Sequence, residues 1–332
     1  MKITNRMLLA LMTVLCLGVF AAGCGGDDDE KSADSSTSAT TTAARGYEEG
    51  GLIERDEANA QTKLTIGSKN FAEQYILGEI YAQAFEAAGY DVSKQLDLGS
   101  EQIAFKSLKN GEIDAYPEYS GTALTSFYKV KLDDVPRDKD EAFTKMESLL
   151  AKDDIVAMSQ TSFQNTYVVT SSKETAEKYD SAKTISELAE TAGPNTSISG
   201  FPECRQRTDC LLGLKQVYGW TPKFVSSQGQ YEDIDGKQSE LTFGFSTDGA
   251  LSLDKYATYE DDKSLFPPYY VSLLTRQDAA DKLGDEGRAL IERIQEPLTE
   301  EVMRELNSRV SIDKQKPQKV AAEYLREEGF TE

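Results

Sequence analysis

The stretch KLTIGSKNFAEQYIL, residues 63–77, predicts a β-strand that leads directly into an α-helix. Asn70 and Glu73 have the spacing of a capping box, which indicates a helix that begins near Phe71. Apolar residues then recur on one helical face, and Gly89 supplies the stop signal. The folded part of the chain therefore opens with a strand–helix unit, as α/β domains do.

Strand-like and helix-like segments continue to alternate after this unit. Strands are predicted near 92–98, 112–116, 154–158, 167–171, 197–199, 241–245 and 270–274, and helices near 101–109, 138–152, 185–192 and 210–218. Three further helices, near 285–294, 299–308 and 317–328, should pack back onto the first lobe. A folded part of ~270 residues is long for one core, so the pattern predicts an α/β fold with two lobes, the first with a largely parallel sheet.

The N-terminal segment predicts export and lipid attachment. Lys2 and Arg6 precede an apolar run, and residues 1–23 have the pattern of a signal peptide. Small residues directly before Cys24 resemble the lipobox of bacterial lipoproteins, in which this cysteine carries the lipid. An ordinary signal peptide or an uncleaved anchor is the alternative, although the run is short for a membrane span of ~20 residues.

Residues 24–62 are interpreted as a disordered acidic tether. The segment starts with Asp-Asp-Asp-Glu, becomes rich in Ser, Thr and Ala, and turns acidic again. Its few apolar side chains cannot offset the entropy lost on ordering. We expect the tether to join the lipid-anchored cysteine to the folded part.

The composition argues against several classes of function. The chain has no histidine, which removes Ser-His-Asp and Cys-His nucleophile systems but leaves carboxylate or lysine chemistry possible. A formal net charge of −21 makes nucleic acid an implausible partner. Cys204 and Cys210 are the cysteines left after processing, and in an oxidising compartment they predict one disulfide. Zinc is the competing interpretation, but a zinc site normally needs three or four ligands.

Two short segments carry candidate binding residues. Lys69 falls between the first strand and the first helix, where open α/β sheets bind ligands, although a solvated lysine before a helix cap would give the same local pattern. Tyr119 ends a strand and is followed by a Ser-Gly-Thr turn that includes Thr122. For any single tyrosine a structural role is the ordinary expectation, because the chain has 16 of them.

Longer motifs make a family resemblance specific. The segments IGSKNFAEQYIL (66–77) and PEYSGT (117–122) resemble the glycine betaine/choline/carnitine substrate-binding proteins of ABC importers. The segments 110–114, 203–209, 245–248 and 265–269 follow in the order that this family has them. The resemblance covers essentially the whole chain from residue 63 onward. It implies a two-lobed type II periplasmic-binding fold with the ligand in the cleft between the lobes.

The resemblance also implies roles for seven side chains. An aromatic cage for a trimethylammonium group would be formed by Tyr119, Tyr167, Phe245 and Tyr269, and the ligand's carboxylate would be bound by Lys69, Thr122 and Arg207. A quaternary ammonium has no N–H to donate, so aromatic faces must hold it by cation–π attraction. Phe245 stands where such proteins often carry tyrosine, and the loop from Cys204 to Cys210 replaces a more common aromatic-plus-glycine version.

These observations predict a lipid-anchored, extracytoplasmic receptor of an ABC importer and no enzymatic activity. Lobe one should comprise residues 63–165 and 270–332, and lobe two residues 166–269, with the two chain crossings as a hinge. The expected partners are a small quaternary ammonium ligand, a transmembrane permease with its ATPase, and the membrane through the lipid anchor. We expect a monomer without metal or cofactor.

Two alternatives stay open at this point. The first is a binding protein with the same fold for another small polar nutrient, such as an amino acid. The second is an envelope-associated enzyme that uses Glu118 and Asp248 as paired carboxylates, although acidic residues are abundant and nothing in the spacing makes these two face each other.

Overall fold

Two five-stranded mixed sheets organise residues 51–332, the part of the chain that this computed structural model describes. The predicted signal peptide (1–23) and the predicted lipidation site, Cys24, lie outside the described residues. Within the described part, no helix combines the length and the apolar character needed to cross a membrane.

The first sheet takes strands from both parts of the predicted lobe one. Its strands are β1 (Lys63–Gly67), β2 (Asp91–Gln95), β3 (Ala115–Tyr119), β4 (Ile155–Gln164) and β10 (Tyr270–Arg276), in the order β2-β1-β3-β10-β4. β1 runs parallel to β2 and β3, whereas β10 is antiparallel to β3 and β4. The prediction of a largely parallel sheet therefore holds for four of the five strands, because β1, β2, β3 and β4 run in the same direction and β10 is the one reversed strand of this sheet. The chain re-enters this sheet beside the last residue of β3, so β10 must run in the opposite direction.

The second sheet repeats this arrangement. Its strands are β5 (Tyr167–Ser172), β6 (Ser197–Gly200), β7 (Lys223–Ser226), β8 (Leu241–Phe245) and β9 (Tyr256–Tyr259), in the order β7-β6-β8-β5-β9. β6 is parallel to β7 and β8, and β5 is antiparallel to β8 and β9. The sequence pattern missed β7 and β9, which are four-residue edge strands too short to show a clear alternation.

Helices surround both sheets. The helices associated with the first sheet are α1 (Ala72–Ala87), α2 (Glu101–Asn110), the single turn α3 (Ser120–Thr122), α4 (Lys139–Leu150), α9 (Gln277–Gln295), α10 (Glu300–Ser311) and α11 (Pro317–Glu327). Those of the second lobe are α5 (Lys173–Lys178), α6 (Ile185–Ala192), α7 (Leu211–Tyr218) and α8 (Gln230–Asp235). As predicted, the terminal helices pack on the first lobe: α9 on β4, and α10 and α11 on α1.

The predicted tether extends too far into the folded part. The backbone N–H of Ile53 donates to the carbonyl of Phe330 at 2.8 Å, and Asn59 Nδ2 donates to the carbonyl of Ala88 at 3.0 Å. Residues 57–61 form a 3-10 helix that the Asp56 side chain caps. The prediction of disorder is therefore wrong over residues 53–62, because these bonds and the packing of Ile53 against the core hold the segment on the first lobe.

The start of α1 also differs from its prediction. Phe71 is the N-cap residue, and no side chain caps the helix. Glu73 does not take part in a capping box, since its carboxylate is buried and accepts hydrogen bonds from residues far away in sequence. Local spacing indicated that Glu73 takes part in a cap at this position, but the Glu73 side chain accepts its hydrogen bonds from residues distant in sequence.

Candidate ligand-binding site

A cavity with about 510 Å³ of empty space lies between the lobes. All seven side chains that the sequence predicted for the ligand site line it: Lys69, Tyr119, Thr122, Tyr167, Arg207, Phe245 and Tyr269. The fold therefore brings together residues that are up to 200 positions apart, from Lys69 to Tyr269.

The four predicted cage residues lie at the ends of strands that face the cleft. Tyr119 is the last residue of β3, and Tyr269 directly precedes β10. Tyr167 begins β5 opposite Phe245, which ends β8. The ring centroid of Tyr167 lies 4.9 Å from that of Phe245 and 5.7 Å from that of Tyr269. The antiparallel pairing of β5 with β8 thus fixes half of the cage.

Two further phenylalanines complete the aromatic lining, and the sequence reasoning did not assign them to the site. Phe71, Phe201 and Phe245, here called the phenylalanine triad, have ring centroids 6.0 to 6.2 Å apart. Phe71 stacks between Tyr119, at 6.2 Å, and Phe245, at 6.0 Å. Phe71 and Phe201 each follow a strand that runs parallel to its neighbours, the position at which open α/β sheets bind ligands, so this rule could have identified them.

Arg207 meets an aspartate of its own loop inside the cleft. Its Nε donates to Asp209 Oδ1 at 2.8 Å, and its Nη2 donates to Asp209 Oδ2 at 2.6 Å and to Thr122 Oγ1 at 3.2 Å. Asp209 Oδ2 also accepts from Tyr269 O–H at 2.6 Å and from Thr125 O–H at 2.8 Å. The guanidinium is therefore held in place by a fully buried carboxylate, and its Nη1 is the nitrogen that makes no hydrogen bond to Asp209.

The electrostatics keep this pair charged. Burial alone would raise the pKa of the Asp209 carboxyl, but the Arg207 guanidinium and the two hydroxyl donors outweigh it and hold that pKa below its usual range. The same carboxylate raises the pKa of Arg207. The arginine thus stays a cation, with one edge of its fork fixed.

Lys69 is buried, with 5 % of its surface exposed, so it is not the solvated lysine of the alternative interpretation. Its Nζ forms an ion pair with Glu118, and it lies 4.4 Å from the centroid of the Tyr119 ring. Burial raises the pKa of Glu118, and the positive charge of Lys69 opposes that rise. An ammonium group therefore already rests against one ring of the predicted cage.

Glu118 and Asp248 do not form the paired carboxylates of the enzymatic alternative. Glu118 accepts from Lys69 and from Tyr116 O–H at 3.0 Å. Asp248 Oδ2 accepts from the backbone N–H of Phe245 at 2.7 Å and from Tyr231 O–H at 2.9 Å. The two carboxylates share no hydrogen-bond partner, and each is engaged in holding its own part of the structure.

We expect Asp248→Asn to flatten the pH dependence of stability between about pH 4 and pH 7. Burial raises the pKa of Asp248 from 3.8 to about 7, so in this range the folded chain keeps a proton that the unfolded chain has released. The stability that the protonated Asp248 contributes is fully present below the pKa of this group in the unfolded chain. It is lost as the pH rises through the pKa of Asp248 in the folded chain. The loss should be at least about 1 kcal/mol, measured by urea unfolding at several pH values.

The exposed Asp133 offers a matched control for that experiment. Asp133→Asn removes the same charge at the surface, and the slope of unfolding free energy against pH should match that of the unchanged protein. An equal slope in the Asp248 and Asp133 variants would contradict the assignment.

The structure contains the predicted disulfide. Cys204 and Cys210 are joined, with their Cα atoms 5.3 Å apart, and Arg207 lies midway between them in the loop. A 3-10 helix from Pro202 to Gln206 fills the first part of this loop. Among the described residues there is no group of three or more potential metal ligands.

A second chamber, with about 1,280 Å³ of empty space, adjoins the first cavity. The two share Asn70, Asn165 and all three members of the phenylalanine triad as lining residues. The remaining wall of this outer chamber includes Tyr231 and Tyr256. The triad therefore stands at the boundary between a small aromatic cavity and a larger chamber.

The sequence is similar to substrate-binding proteins of ABC transporters. Residues 62–327 match the family described as the substrate binding domain of an ABC-type glycine betaine transport system. A glycine-betaine-binding protein from Pseudomonas aeruginosa is 32% identical over 289 residues, which cover 83% of this chain and 91% of that protein. A Helicobacter pylori ergothioneine transport permease/binding protein is 26% identical over 84% of this chain and 50% of its own length.

Solved structures show the same fold. A crystal structure described as a glycine betaine/carnitine/choline ABC transporter aligns with a TM-score of 0.65 and 24% identity, over 80% of this chain and 98% of that one. This likeness confirms the predicted α/β, two-lobed type II periplasmic-binding fold.

Proposed function

The chain belongs to the family of substrate-binding domains of ABC-type glycine betaine transport systems, and we propose that it captures glycine betaine or a related quaternary ammonium osmoprotectant, such as proline betaine, choline or carnitine. Members of this family bind a substrate for an ABC transporter and are not enzymes. The observation that carries the proposal is the convergence of Tyr119, Tyr167, Phe245, Tyr269 and Arg207 on one interlobe cavity.

In the proposed complex the cationic and anionic ends of a betaine occupy different parts of the cavity. The trimethylammonium group contacts the four predicted cage rings, and each desolvated aromatic face contributes ~1–2 kcal/mol. The carboxylate lies near Arg207, Thr122 and Lys69, which bring two positive charges and a hydroxyl to the cavity wall. Because the Lys69 ammonium rests on the Tyr119 ring in this structure, the ligand's cation competes with it there.

The setting of the protein in the cell envelope is part of the proposal. Export by the signal peptide 1–23 and lipidation at Cys24 would place the binding domain outside the cytoplasm, periplasmic if an outer membrane exists, tethered to the membrane beside a permease with its ATPase. Lobe one would comprise residues 63–165 and 270–332, and lobe two residues 166–269. The division of the strands between the two sheets supports these boundaries.

Calorimetry with a panel of solutes tests the proposal. We expect glycine betaine, proline betaine, choline or carnitine to bind in the micromolar range or tighter, with ectoine and ordinary amino acids weaker. A primary ammonium keeps its N–H donors, and an aromatic cage leaves these unpaired at a cost. Binding of amino acids alone would overturn the proposal in favour of another polar nutrient.

A bulkier betaine is a second candidate, and the outer chamber is the observation that favours it. The phenylalanine triad separates this outer chamber from the cage, and the chamber offers room for a ring attached to the betaine. The relative from Helicobacter pylori is described as an ergothioneine-binding protein. If ergothioneine binds more tightly than glycine betaine in the same panel, this second candidate replaces the first.

A further inference from the structure

One buried carboxylate at the cleft has no role in the proposed ligand contacts. Glu73, in the first turn of α1, has 2 % of its surface exposed. Its Oε1 accepts from Tyr119 O–H at 2.7 Å and from Asn165 Nδ2 at 2.9 Å. Its Oε2 accepts from Asn307 Nδ2 at 2.8 Å and from Thr247 O–H. All four side-chain donors are neutral, so the carboxylate is held by hydrogen bonds and not by an ion pair.

These donors come from both lobes and from one of the two chain crossings between them. Tyr119 ends β3 and Asn307 belongs to α10, so both lie in the first lobe. Asn165 occupies the chain crossing between β4 and β5. Thr247 follows β8 in the second lobe. A single carboxylate therefore connects a predicted cage ring, the hinge and the opposite lobe.

The surroundings of Thr247 show close contact between the second lobe and helix α10 of the first lobe. Arg304 Nε and Nη2 donate to the carbonyl of Ser246 at 3.1 and 2.9 Å, and Asn307 Nδ2 donates to the carbonyl of Thr247 at 2.8 Å. A Cβ placed on Gly249 would lie 2.5 Å from Ser308 Cα, so the loop that follows β8 packs directly on α10. Glu73 lies at the inner end of this interlobe contact, next to the cage.

We propose that Glu73 is a positioning residue that couples the orientation of the cage to closure of the two lobes. Its Oε1 fixes the Tyr119 ring while its Oε2 holds Thr247 of the second lobe, so the ring is in place when the lobes are together. Both contacts end on the same carboxyl group, so a change in one is transmitted to the other. The part of this proposal that concerns ligand binding rests on the proposed function, whereas the part that concerns closure of the lobes does not.

Glu79 provides a matched control in the same helix. It is buried, with 6 % of its surface exposed, and accepts from Lys94 Nζ and Gln83 Nε2, both at 2.9 Å. All of these contacts lie within the first lobe, between α1 and β2. Glu79→Gln therefore makes the same chemical change on α1 without touching the interlobe contact.

The first test compares the affinity of the two glutamine variants for glycine betaine and for choline by calorimetry. Glu73→Gln should weaken both ligands by at least ~10-fold, because an amide cannot accept all four hydrogen bonds. Glu79→Gln should change either affinity by no more than ~2-fold. The loss of affinity should be similar for both ligands, because Glu73 acts through the Tyr119 ring. This ring contacts the trimethylammonium group that both ligands have, and not the carboxylate of glycine betaine. Equal affinities in the two variants would overturn the proposal.

A double-mutant cycle separates coupling from a general structural effect. Tyr119→Phe and Thr247→Val each remove one hydroxyl, and the two hydroxyls are joined only through opposite oxygens of Glu73. With Glu73 present, their combined effect on affinity should differ from the product of the single effects by at least ~3-fold, beyond the scatter of independent sites. In the Glu73→Gln background the effects should multiply. If the single effects multiply both with Glu73 present and in the Glu73→Gln variant, the proposed coupling is contradicted.

Closure can also be measured without ligand. Small-angle X-ray scattering of the ligand-free proteins should give a larger radius of gyration for Glu73→Gln and for Thr247→Val than for Glu79→Gln. Thr247→Val leaves the carboxylate in place, so it tests the same contact if Glu73→Gln folds poorly. Failure of the unchanged protein to bind any quaternary ammonium would refute the proposed function alone. Identical radii for all three variants would refute the role of Glu73 in closure.

Discussion

Arg207→Ala is expected to lower the affinity for glycine betaine by at least ~100-fold and the affinity for choline by no more than ~10-fold. Choline carries a hydroxyl where betaine carries a carboxylate, so it loses less when the guanidinium is removed. Calorimetry with both ligands measures the ratio. Equal losses would contradict the assignment of Arg207 to the carboxylate end of the site.

The same substitution should destabilise the fold, and this effect must be separated from binding. Asp209 is fully buried, and without Arg207 it keeps only the hydroxyls of Thr125 and Tyr269 among its side-chain donors. Removing one partner of a buried ion pair typically costs ~3–5 kcal/mol. We expect the double variant Arg207→Ala/Asp209→Asn to regain much of that stability and to remain unable to bind betaine.

Arg205 is the matched control for this experiment. It lies in the same disulfide loop, is exposed, and places its guanidinium 5.1 Å from the centroid of the Phe224 ring, away from the cavity lining. Arg205→Ala removes an equal charge at nearly the same position in sequence. If Arg205→Ala lowers the affinity for betaine as much as Arg207→Ala does, the loss of affinity comes from a change in the loop and not from the guanidinium in the cavity.

The sequence predicted the elements that local signals determine. The strand and helix periods located β1, β3, β5 and β8, and the residues at their ends include Tyr119, Tyr167 and Phe245. The family resemblance added Tyr269 and Arg207, which no periodic pattern marks. The period therefore located the strand ends, whereas the assignment of Tyr167 and Phe245 to the ligand site came from the family resemblance.

The sequence could not reveal which charges pair inside the cleft. Lys69 and Glu118 are 49 positions apart, and the donors of Glu73 lie 46 to 234 positions away along the chain. A spacing rule that sees only Asn70 and Glu73 favours a capping box, since the tertiary donors are invisible to it. A carboxylate removed from water needs several donors, and residues distant in sequence supply four to Glu73, of which Thr247 comes from the second lobe.

Tyr119→Ala is expected to weaken quaternary ammonium binding by at least ~30-fold, whereas Tyr119→Phe should weaken it by ~10-fold or less. The alanine variant removes the ring that stacks on Phe71 at 6.2 Å and on which the Lys69 ammonium rests. The phenylalanine variant keeps that ring and removes only the hydrogen bond to Glu73. The order of the two affinities therefore separates the aromatic face from the hydroxyl that orients it.

Stability must again be measured beside affinity, because truncating a buried tyrosine leaves a cavity. Losses of ~3–5 kcal/mol are usual for large aromatic residues. Tyr179 is buried in the second lobe, and its hydroxyl oxygen lies 3.1 Å from the hydroxyl oxygen of Thr196, in a hydrogen bond between the two groups. Its truncation gives a variant with a similar cavity and no contact with the ligand site. Tyr179→Ala should lower the unfolding free energy and leave affinity unchanged. If Tyr119→Ala behaves in the same way as Tyr179→Ala, the ring at position 119 packs the core and does not hold a cation.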